Sequence, residues 1–243
     1  RIEDWVSQGH ERKEIAVLYR SNAQSRQFEE QLIARGVPYR VYGGLRFFER
    51  AEIKDALAYL RMISNPMDDT SFDRSINHPP RGLGQKSVDQ IREYARHNNL
   101  SLWSAAGEMI ASNQLTARSK TAVISYIDLI LALQQQSLEL SLSDQIKISI
   151  ENSGLVEHFA KDKTEKGDAR RENLQELIGA GKSYEIEQAN TLENISVLDA
   201  FLSHAALEAG EGQADDWEDC VQLMTMHSVK GLEFPLVFLV GME

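Results

Sequence analysis

Long apolar runs and cysteine pairs are missing from this sequence of 243 residues. No apolar run approaches the roughly 20 residues that a membrane-spanning helix requires, and the single cysteine, Cys220, excludes a disulfide within the chain. A basic and apolar leader is also missing, and the first residue is Arg1 rather than methionine, so we expect a piece of a longer protein. These absences predict a cytoplasmic protein that contacts no membrane.

Patterns for metal or phosphate binding are also scarce. The six histidines show no metal-ligand spacing, so we expect no metal site. Gly181-Lys182-Ser183 resembles the end of a phosphate-binding loop. However, Glu176 stands where that loop needs its first glycine, and the segment follows a helical pattern rather than a strand. We therefore expect this segment to be a solvent-facing helix end.

Negative charge is unevenly distributed along the chain. The formal net charge is -11, which at first argues against nucleic acid, because binding to phosphates normally uses a positive surface. However, residues 185–219 contain ten acidic residues and no lysine or arginine, whereas residues 11–50 and 74–98 each carry a net charge of +3. Charge therefore neither indicates nor excludes DNA as a partner.

Two apolar periodicities divide the chain. Short apolar runs typical of buried strands occur near both ends, at residues 14–19, 39–42, 221–226 and 236–240. From Glu52 onward, apolar residues recur with the spacing of amphipathic helices, until a polar loop at residues 210–216. This order predicts an α/β domain with a parallel sheet, interrupted by a large all-α insertion, with chain crossings near Gly44 and Asp219.

A polar turn follows the third of these strands. Four polar side chains share it: His227, Ser228, Lys230 and Glu233. Gly231 permits the turn, which lies at the carboxyl end of a buried strand, where α/β proteins place ligands. An ordinary surface turn is the alternative, since strand ends are usually polar.

A pair of glycines precedes one of the predicted helices. Arg81-Gly82-Leu83-Gly84 leads through Gln85-Lys86-Ser87 into a helical pattern that begins at Val88. Glycines let backbone N–H groups approach a phosphate closely, and Lys86 adds positive charge. A simple turn between two helices is the alternative.

The run from Val221 to Glu243 and several shorter segments carry a family resemblance. The shorter segments are residues 17–26, 42–50, 52–55, 81–84, 172–174 and 200–214. Together they resemble superfamily 1 DNA helicases of the UvrD/Rep/PcrA type, over essentially the whole chain. In that family the interrupted α/β domain is the second RecA-like motor domain, 2A, and the helical insertion is domain 2B. The resemblance implies a partial RecA-like domain at residues 1–44 and 218–243, and domain 2B at residues 45–217.

The resemblance implies roles for residues of the polar turn. Glu233 corresponds to the family's ligand for the nucleotide ribose, whose hydroxyls can donate hydrogen bonds to a carboxylate. Lys230 and Gly231 lie where motif V of the family approaches the nucleotide phosphates. Thr225 and His227 correspond to residues that face single-stranded DNA.

Further DNA contacts are implied elsewhere in the chain. Arg20 and Asn22 correspond to the family's second contact with single-stranded DNA, although without the resemblance Arg20 is more typical of a surface ion pair. The glycine pair resembles the family element that grips duplex DNA ahead of the fork. Its implied DNA-binding residues are Arg81, Gly82, Gly84, Lys86 and Ser87. Val229 departs mildly from the alanine of many relatives but removes no polar group.

The resemblance implies an ATP-dependent 3′–5′ DNA helicase of DNA repair or replication, with ATP and Mg²⁺ as cofactors of the full-length protein. The glycine-rich loop and the magnesium-holding acid that hydrolysis needs do not occur in this sequence, so we expect no catalytic residue, bound cofactor or ATPase activity in the chain alone. Single-stranded DNA, duplex DNA and repair or replication proteins are the expected partners. Two alternatives stay open: a regulatory protein-interaction module, favoured by the acidic stretch, and a non-enzymatic DNA-binding protein.

Overall fold

The structure, a computed structural model, describes residues 1–42, 44–188, 195–210 and 218–241. Three features predicted from the sequence lie outside these ranges: Gly43 beside the first crossing, most of the polar loop at residues 210–216, and the domain boundary after residue 217. The chain forms two compact units, Arg1–Arg50 with Ala205–Glu243, and Ala51–His204. We call them the sheet unit and the helical unit.

Four parallel strands form the centre of the sheet unit. They are β1 (Ile15–Tyr19), β2 (Tyr39–Val41), β3 (Val221–Thr225) and β4 (Leu236–Leu239), in the spatial order β2-β3-β1-β4. Strands from the two ends of the chain therefore share one sheet. The four predicted strands are confirmed, and because all are parallel, their carboxyl ends meet at one edge of the sheet, which we call the carboxyl edge.

Helices cover one face of this sheet. They are α1 (Ile2–Ser7) and α2 (Ser25–Ala34), with single 3-10 turns at Arg12–Glu14, Asn22–Gln24 and Phe47–Glu49. Phe28 and Leu32 of α2 pack in a cluster with Val17 of β1, as the spacing of apolar residues predicts. The helix ends before Gly36, whose φ of +61° is the left-handed conformation that glycine favours. The opposite face carries a smaller cluster around Leu18.

The helical unit is confirmed as predominantly α-helical. It contains α3 (Ala51–Ser64), α4 (Asp69–Ser75), α5 (Gln85–Asn98), α6 (Leu102–Ala111), α7 (Ala117–Ser137), α8 (Leu142–Ser153), α9 (Leu155–Ala160) and α10 (Glu165–Gln188). The first residues of α11 (Val197–Gly210) also belong to it. Helix α3 is nearly enclosed because Ile53, Tyr59 and Leu60 are fully buried. In the described parts of the chain, no helix has the length and apolar character needed to cross a membrane.

One helix corrects an expectation from the sequence. Gly181 is not at a solvent-facing helix end but is buried within α10, where a Cβ would lie 2.3 Å from Cδ1 of Ile146 in α8. The missing side chain therefore lets α10 and α8 pack closely. The helical conformation agrees with the rejection of a phosphate-binding loop at this position.

Candidate nucleic-acid and nucleotide sites

The carboxyl edge of the sheet brings two predicted DNA segments together. Tyr19 and Thr225 are opposite each other in the parallel β1–β3 pair, and the N–H of Met226 donates to the carbonyl of Tyr19 at 3.0 Å. The residues that follow both strands therefore lie at the same edge. Arg20 is exposed immediately after β1, and His227 is exposed immediately beyond β3.

The loop after β1 is held by a residue that the sequence analysis passed over. The side-chain oxygen of Gln24 accepts hydrogen bonds from the N–H groups of Arg20, at 2.9 Å, and Ser21, at 3.1 Å. Asn22, at the start of this turn, is exposed. The Ser21 and Gln24 spacing matches a capping box, so this sequence signal was available.

The amide of Gln24 also lies against the end of β4. A Cβ placed on Gly241, whose φ is +63°, would lie 2.2 Å from Nε2 of Gln24. The left-handed φ favours glycine at this position, and the missing side chain leaves room for the Gln24 amide. Gln24 thus fixes the shape of the Arg20 loop from two sides, through its oxygen and through its close packing on β4.

The polar turn after β3 is ordered at its start and open at its tip. Thr225 and Ser228 share a hydroxyl–hydroxyl hydrogen bond of 2.9 Å, and the N–H of Ser228 donates to the carbonyl of Thr225 at 3.0 Å. Thr225 is thereby half-buried and engaged within the turn. Val229 packs toward the cluster around Leu18, so its extra bulk relative to alanine adds apolar contact.

The predicted nucleotide ligands all lie on the exposed part of this turn. Lys230, Gly231 and Glu233 are exposed, and Gly231 has the left-handed φ of +88° that the tight turn requires. No atom lies within 4 Å of a Cβ placed on Gly231. The turn therefore offers an ammonium group, an unshielded stretch of backbone and a carboxylate, a set of groups that fits phosphate oxygens and ribose hydroxyls.

In the helical unit, we call residues 81–87 the glycine hairpin. The side chain of Arg81, its first residue, is engaged by backbone carbonyls of the surrounding fold. Its Nη1 donates to the carbonyls of Ser75, at 3.0 Å, and Pro79, at 3.1 Å, and its Nη2 donates to the carbonyl of Ser153 at 3.0 Å. The guanidinium therefore joins the loop after α4 to the end of α8. A direct contact between Arg81 and DNA phosphate gains no support from this geometry.

Two tyrosines enclose the same guanidinium. Its Cζ lies 5.6 Å from the ring centroids of both Tyr59 and Tyr126. Burial raises the pKa of Tyr59 to about 12 and also raises the pKa of Tyr126, so both hydroxyls stay protonated near neutral pH. Arg81 is thus held by aromatic faces as well as by carbonyls.

The other hairpin residues divide into exposed and buried sets. Gly82, Gly84 and Lys86 are exposed, and the φ of Gly82 is +75°. Leu83 is buried, and its carbonyl accepts a 2.8 Å hydrogen bond from the side chain of Asn77. Three of the five predicted duplex contacts are therefore available at the surface.

Ser87 belongs to the buried set. Its hydroxyl shares a 2.7 Å hydrogen bond with the hydroxyl of Ser119 in α7. The side chain thus connects the starts of α5 and α7. Ser87, like Arg81, therefore stabilises the hairpin through contacts inside the fold.

Comparisons with known proteins agree with this architecture. A sequence profile of the UvrD-like helicase C-terminal domain matches residues 1–243. DNA helicase II of Escherichia coli (strain K12) is 50% identical over 243 residues, which are 100% of this chain and 34% of that protein. DNA helicase II of Haemophilus influenzae is 49% identical over the same length, 100% of this chain and 33% of that protein.

A second group of relatives carries another helicase name. The ATP-dependent DNA helicase PcrA of Staphylococcus aureus (strain Mu50) is 39% identical over 235 residues, 97% of this chain and 32% of that protein. The chain spans about a third of the length of the curated relatives it matches. The predicted resemblance is confirmed, and the chain belongs to the UvrD-like helicase C-terminal domain family.

Proposed function

We propose that this chain is the carboxy-terminal motor half of an ATP-dependent 3′–5′ DNA helicase that acts in DNA repair or replication. The sheet unit would be part of motor domain 2A, and the helical unit would be insertion domain 2B. The observation that carries the proposal is the β1–β3 register, which places the segments after Tyr19 and Thr225 at one edge of the sheet. Family membership supports the same assignment.

The single strand would cross the carboxyl edge. Arg20 supplies a guanidinium for phosphate, Asn22 supplies an amide that donates or accepts, and His227 supplies an exposed ring. Thr225 acts beside them by shaping the turn through its hydrogen bonds to Ser228. Because the two loops leave adjacent strands, they can contact neighbouring nucleotides of one strand.

The nucleotide would meet this chain at the turn after β3. Glu233 would accept hydrogen bonds from the ribose hydroxyls, and Lys230 and Gly231 would face the phosphates. ATP supplies the free energy of phosphoryl transfer when it is bound, and Mg²⁺ and the glycine-rich loop belong to the part of the protein outside this chain. The nucleotide would bind between the first motor domain of the full-length protein and this chain. Closure and reopening of that cleft would move the single strand past Arg20 and His227.

Duplex DNA would be held by the glycine hairpin. Gly82 and Gly84 present exposed backbone at the start of α5, and Lys86 adds an exposed ammonium. Arg81 and Ser87 support this surface from inside the fold. Repair or replication proteins as partners, and a cytoplasmic location, stay predictions.

Fluorescence anisotropy of the full chain with single-stranded DNA, across a salt series, tests the proposal. We expect Arg20→Ala and His227→Ala each to weaken binding, and Arg20→Ala to reduce the dependence on salt as well. Arg35→Ala is the matched control, because Arg35 is also exposed but lies at the end of α2, next to the amino end of β2. Equal losses in all three variants, or no binding by the wild type at low salt, would overturn the proposal.

A further inference from the structure

We propose that Arg118, at the start of α7, is the arginine that contacts the duplex backbone at the glycine hairpin. The inference rests on the proposed duplex contact and names a residue of that same surface. The two arginines near the hairpin, Arg118 and Arg81, then have different roles. Arg118 reaches the DNA phosphate, and Arg81 holds the hairpin in shape.

The first observation is the approach of Arg118 to Gly82. A Cβ placed on Gly82 would lie 3.2 Å from Nη2 of Arg118, 3.7 Å from its Nε and 3.9 Å from its Cζ. The guanidinium therefore lies directly against the backbone of the hairpin. Gly82 and Arg118 are far apart in the sequence, so the fold alone brings this charge to the glycines.

The second observation is that the local fold holds Arg118 in this place. The hydroxyls of Ser87 and Ser119 share a 2.7 Å hydrogen bond between the first turns of α5 and α7. Thr116 donates through its hydroxyl to Ser119 at 2.9 Å, and its Oγ1 accepts from the Ser119 N–H at 3.3 Å. Arg118 is the neighbour of Ser119, so its backbone position is set by contacts with the hairpin helix.

The third observation concerns which arginines of the helical unit have donors available for a ligand. Arg74 is paired with Asp55 at 2.7 Å, and Arg92 is paired with Asp73 at 2.5 Å. Arg118 is exposed, and across the described ranges of the chain no carboxylate or other acceptor pairs with it. Its guanidinium therefore remains free to bind an incoming anion.

The contrast with Arg81 decides which guanidinium meets DNA. Both nitrogens Nη1 and Nη2 of Arg81 donate to backbone carbonyls, and the group is enclosed by Tyr59 and Tyr126. Turning it outward would remove the charged donor from the Pro79 and Ser153 carbonyls. The Ser75 carbonyl would lose it too, although that oxygen also accepts from the Tyr59 hydroxyl. Arg118 can donate without breaking any contact of this kind.

The ligand chemistry that fits this surface is a phosphodiester of duplex DNA. A guanidinium donates two parallel hydrogen bonds to one phosphate group, and the exposed glycines allow the backbone of the duplex to approach. Lys86 provides a second, point-like charge on the same surface. Neither cation reads a base, so binding here should be independent of sequence.

The test is an anisotropy titration of the full 243-residue chain with a blunt DNA duplex over a series of salt concentrations. For Arg118→Gln we expect the slope of log affinity against log salt to fall by about 0.9, the contribution of one phosphate contact, with an unchanged melting temperature. Arg118→Lys should restore most of the slope, because it keeps the charge. Arg96→Gln is the matched control, since Arg96 is exposed roughly 16 Å along α5 from the hairpin.

Each outcome bears on the inference. Arg81→Gln should lower the melting temperature and keep the wild-type slope when measured well below that temperature. If Arg81→Gln instead lowers the slope at unchanged melting temperature, or Arg118→Gln leaves the slope unchanged while Lys86→Gln lowers it, the assignment to Arg118 is wrong and the duplex contact stands. If the wild type binds no duplex at low salt, both the duplex contact and the assignment are wrong.

Discussion

The guanidinium of Arg81 donates through Nη2 to the backbone carbonyl of Ser153, 72 residues further along the chain, at a distance of 3.0 Å. Ser153 is the last residue of α8, and the final carbonyls of a helix have no partner within the helix. Arg81 satisfies one of them and ties the glycine hairpin to that helix end. We therefore expect Arg81 to contribute mainly to the stability of the folded chain rather than to direct contact with DNA.

Replacement of Arg81 tests this expectation. We predict that Arg81→Ala lowers the free energy of unfolding by about 2–3 kcal/mol, because three carbonyls lose a charged donor. Chemical denaturation followed by circular dichroism measures the change. Arg118→Ala is the control and should leave the unfolding midpoint almost unchanged, since Arg118 is exposed. Equal midpoints for the wild type and Arg81→Ala would contradict the structural role.

The two glycines of the hairpin should respond differently to alanine. Gly82 has a φ of +75°, and its Cβ would press on Arg118, whereas Gly84 has a φ of -75° and open space around its Cβ. We predict that Gly82→Ala costs about 1–2 kcal/mol of stability and weakens duplex binding. Gly84→Ala should cost less, about 0.5 kcal/mol, because Gly84 is the N-cap of α5 and alanine is a poorer N-cap residue than glycine.

Thermal melting and duplex titrations of the two variants make this comparison. If Gly84→Ala is the more destabilising change, the described conformation of the hairpin is wrong. If both variants keep wild-type stability and only Gly84→Ala weakens binding, the contact between Gly82 and Arg118 has no part in the duplex surface.

Gln24 should control single-strand binding without touching the DNA. We predict that Gln24→Ala weakens binding of single-stranded DNA by about fivefold, near 1 kcal/mol, because the Arg20 and Ser21 N–H groups lose their acceptor and the loop loses its shape. Duplex binding through the helical unit should be unchanged. Gln27→Ala is the control, since Gln27 is exposed on α2. A wild-type affinity for Gln24→Ala would exclude this positioning role.

Mild acid should weaken the helical unit through His158. Burial lowers the pKa of His158, and the nearby His78 and Lys161 lower it further. The unfolded state then binds a proton at a higher pH than the folded state, so stability is full above the ordinary histidine pKa of about 6.5 and falls as the pH drops through it.

Melting temperatures at neutral and mildly acidic pH measure this effect. The wild type should lose more stability on acidification than His158→Asn, which cannot titrate. His97→Asn serves as the control because His97 is exposed at the end of α5. An identical loss in the wild type and His158→Asn would show that other groups cause the pH dependence.

Much of the sheet unit could be predicted from the sequence, because its strands are continuous apolar runs. The apolar runs at residues 14–19 and 221–226 predicted buried parallel strands, and parallel strands bring the following residues to one edge. The turn at Gly231 was predictable for a similar reason, since its left-handed φ is a local property of glycine.

The sequence did not reveal which way the side chains of the hairpin face. Arg81 points inward because the rings of Tyr59 and Tyr126, on two other helices, and the carbonyl of Ser153 lie around its guanidinium. Arg118 meets Gly82 only after the first turns of α5 and α7 have come together. Neither relationship has a periodic or local sequence signal, so both need the tertiary structure.

The buried position of Gly181 has the same origin. A glycine within a helical pattern reads as a weak or terminal position, because it lowers helix propensity. In α10 it instead makes room for Ile146 of α8. The packing partner, not the local pattern, decides the burial of this residue.

Cross-linking of the full chain to a tailed DNA duplex, followed by mass spectrometry, tests the central claim most directly. With photoreactive groups in the single-stranded tail, we expect cross-links to the loops containing Arg20 and His227 at the carboxyl edge. With the groups in the duplex, we expect cross-links to the hairpin around Gly82 and to Arg118. Tail cross-links concentrated near Arg35, at the opposite edge of the sheet, or duplex cross-links that avoid the hairpin, would contradict that claim.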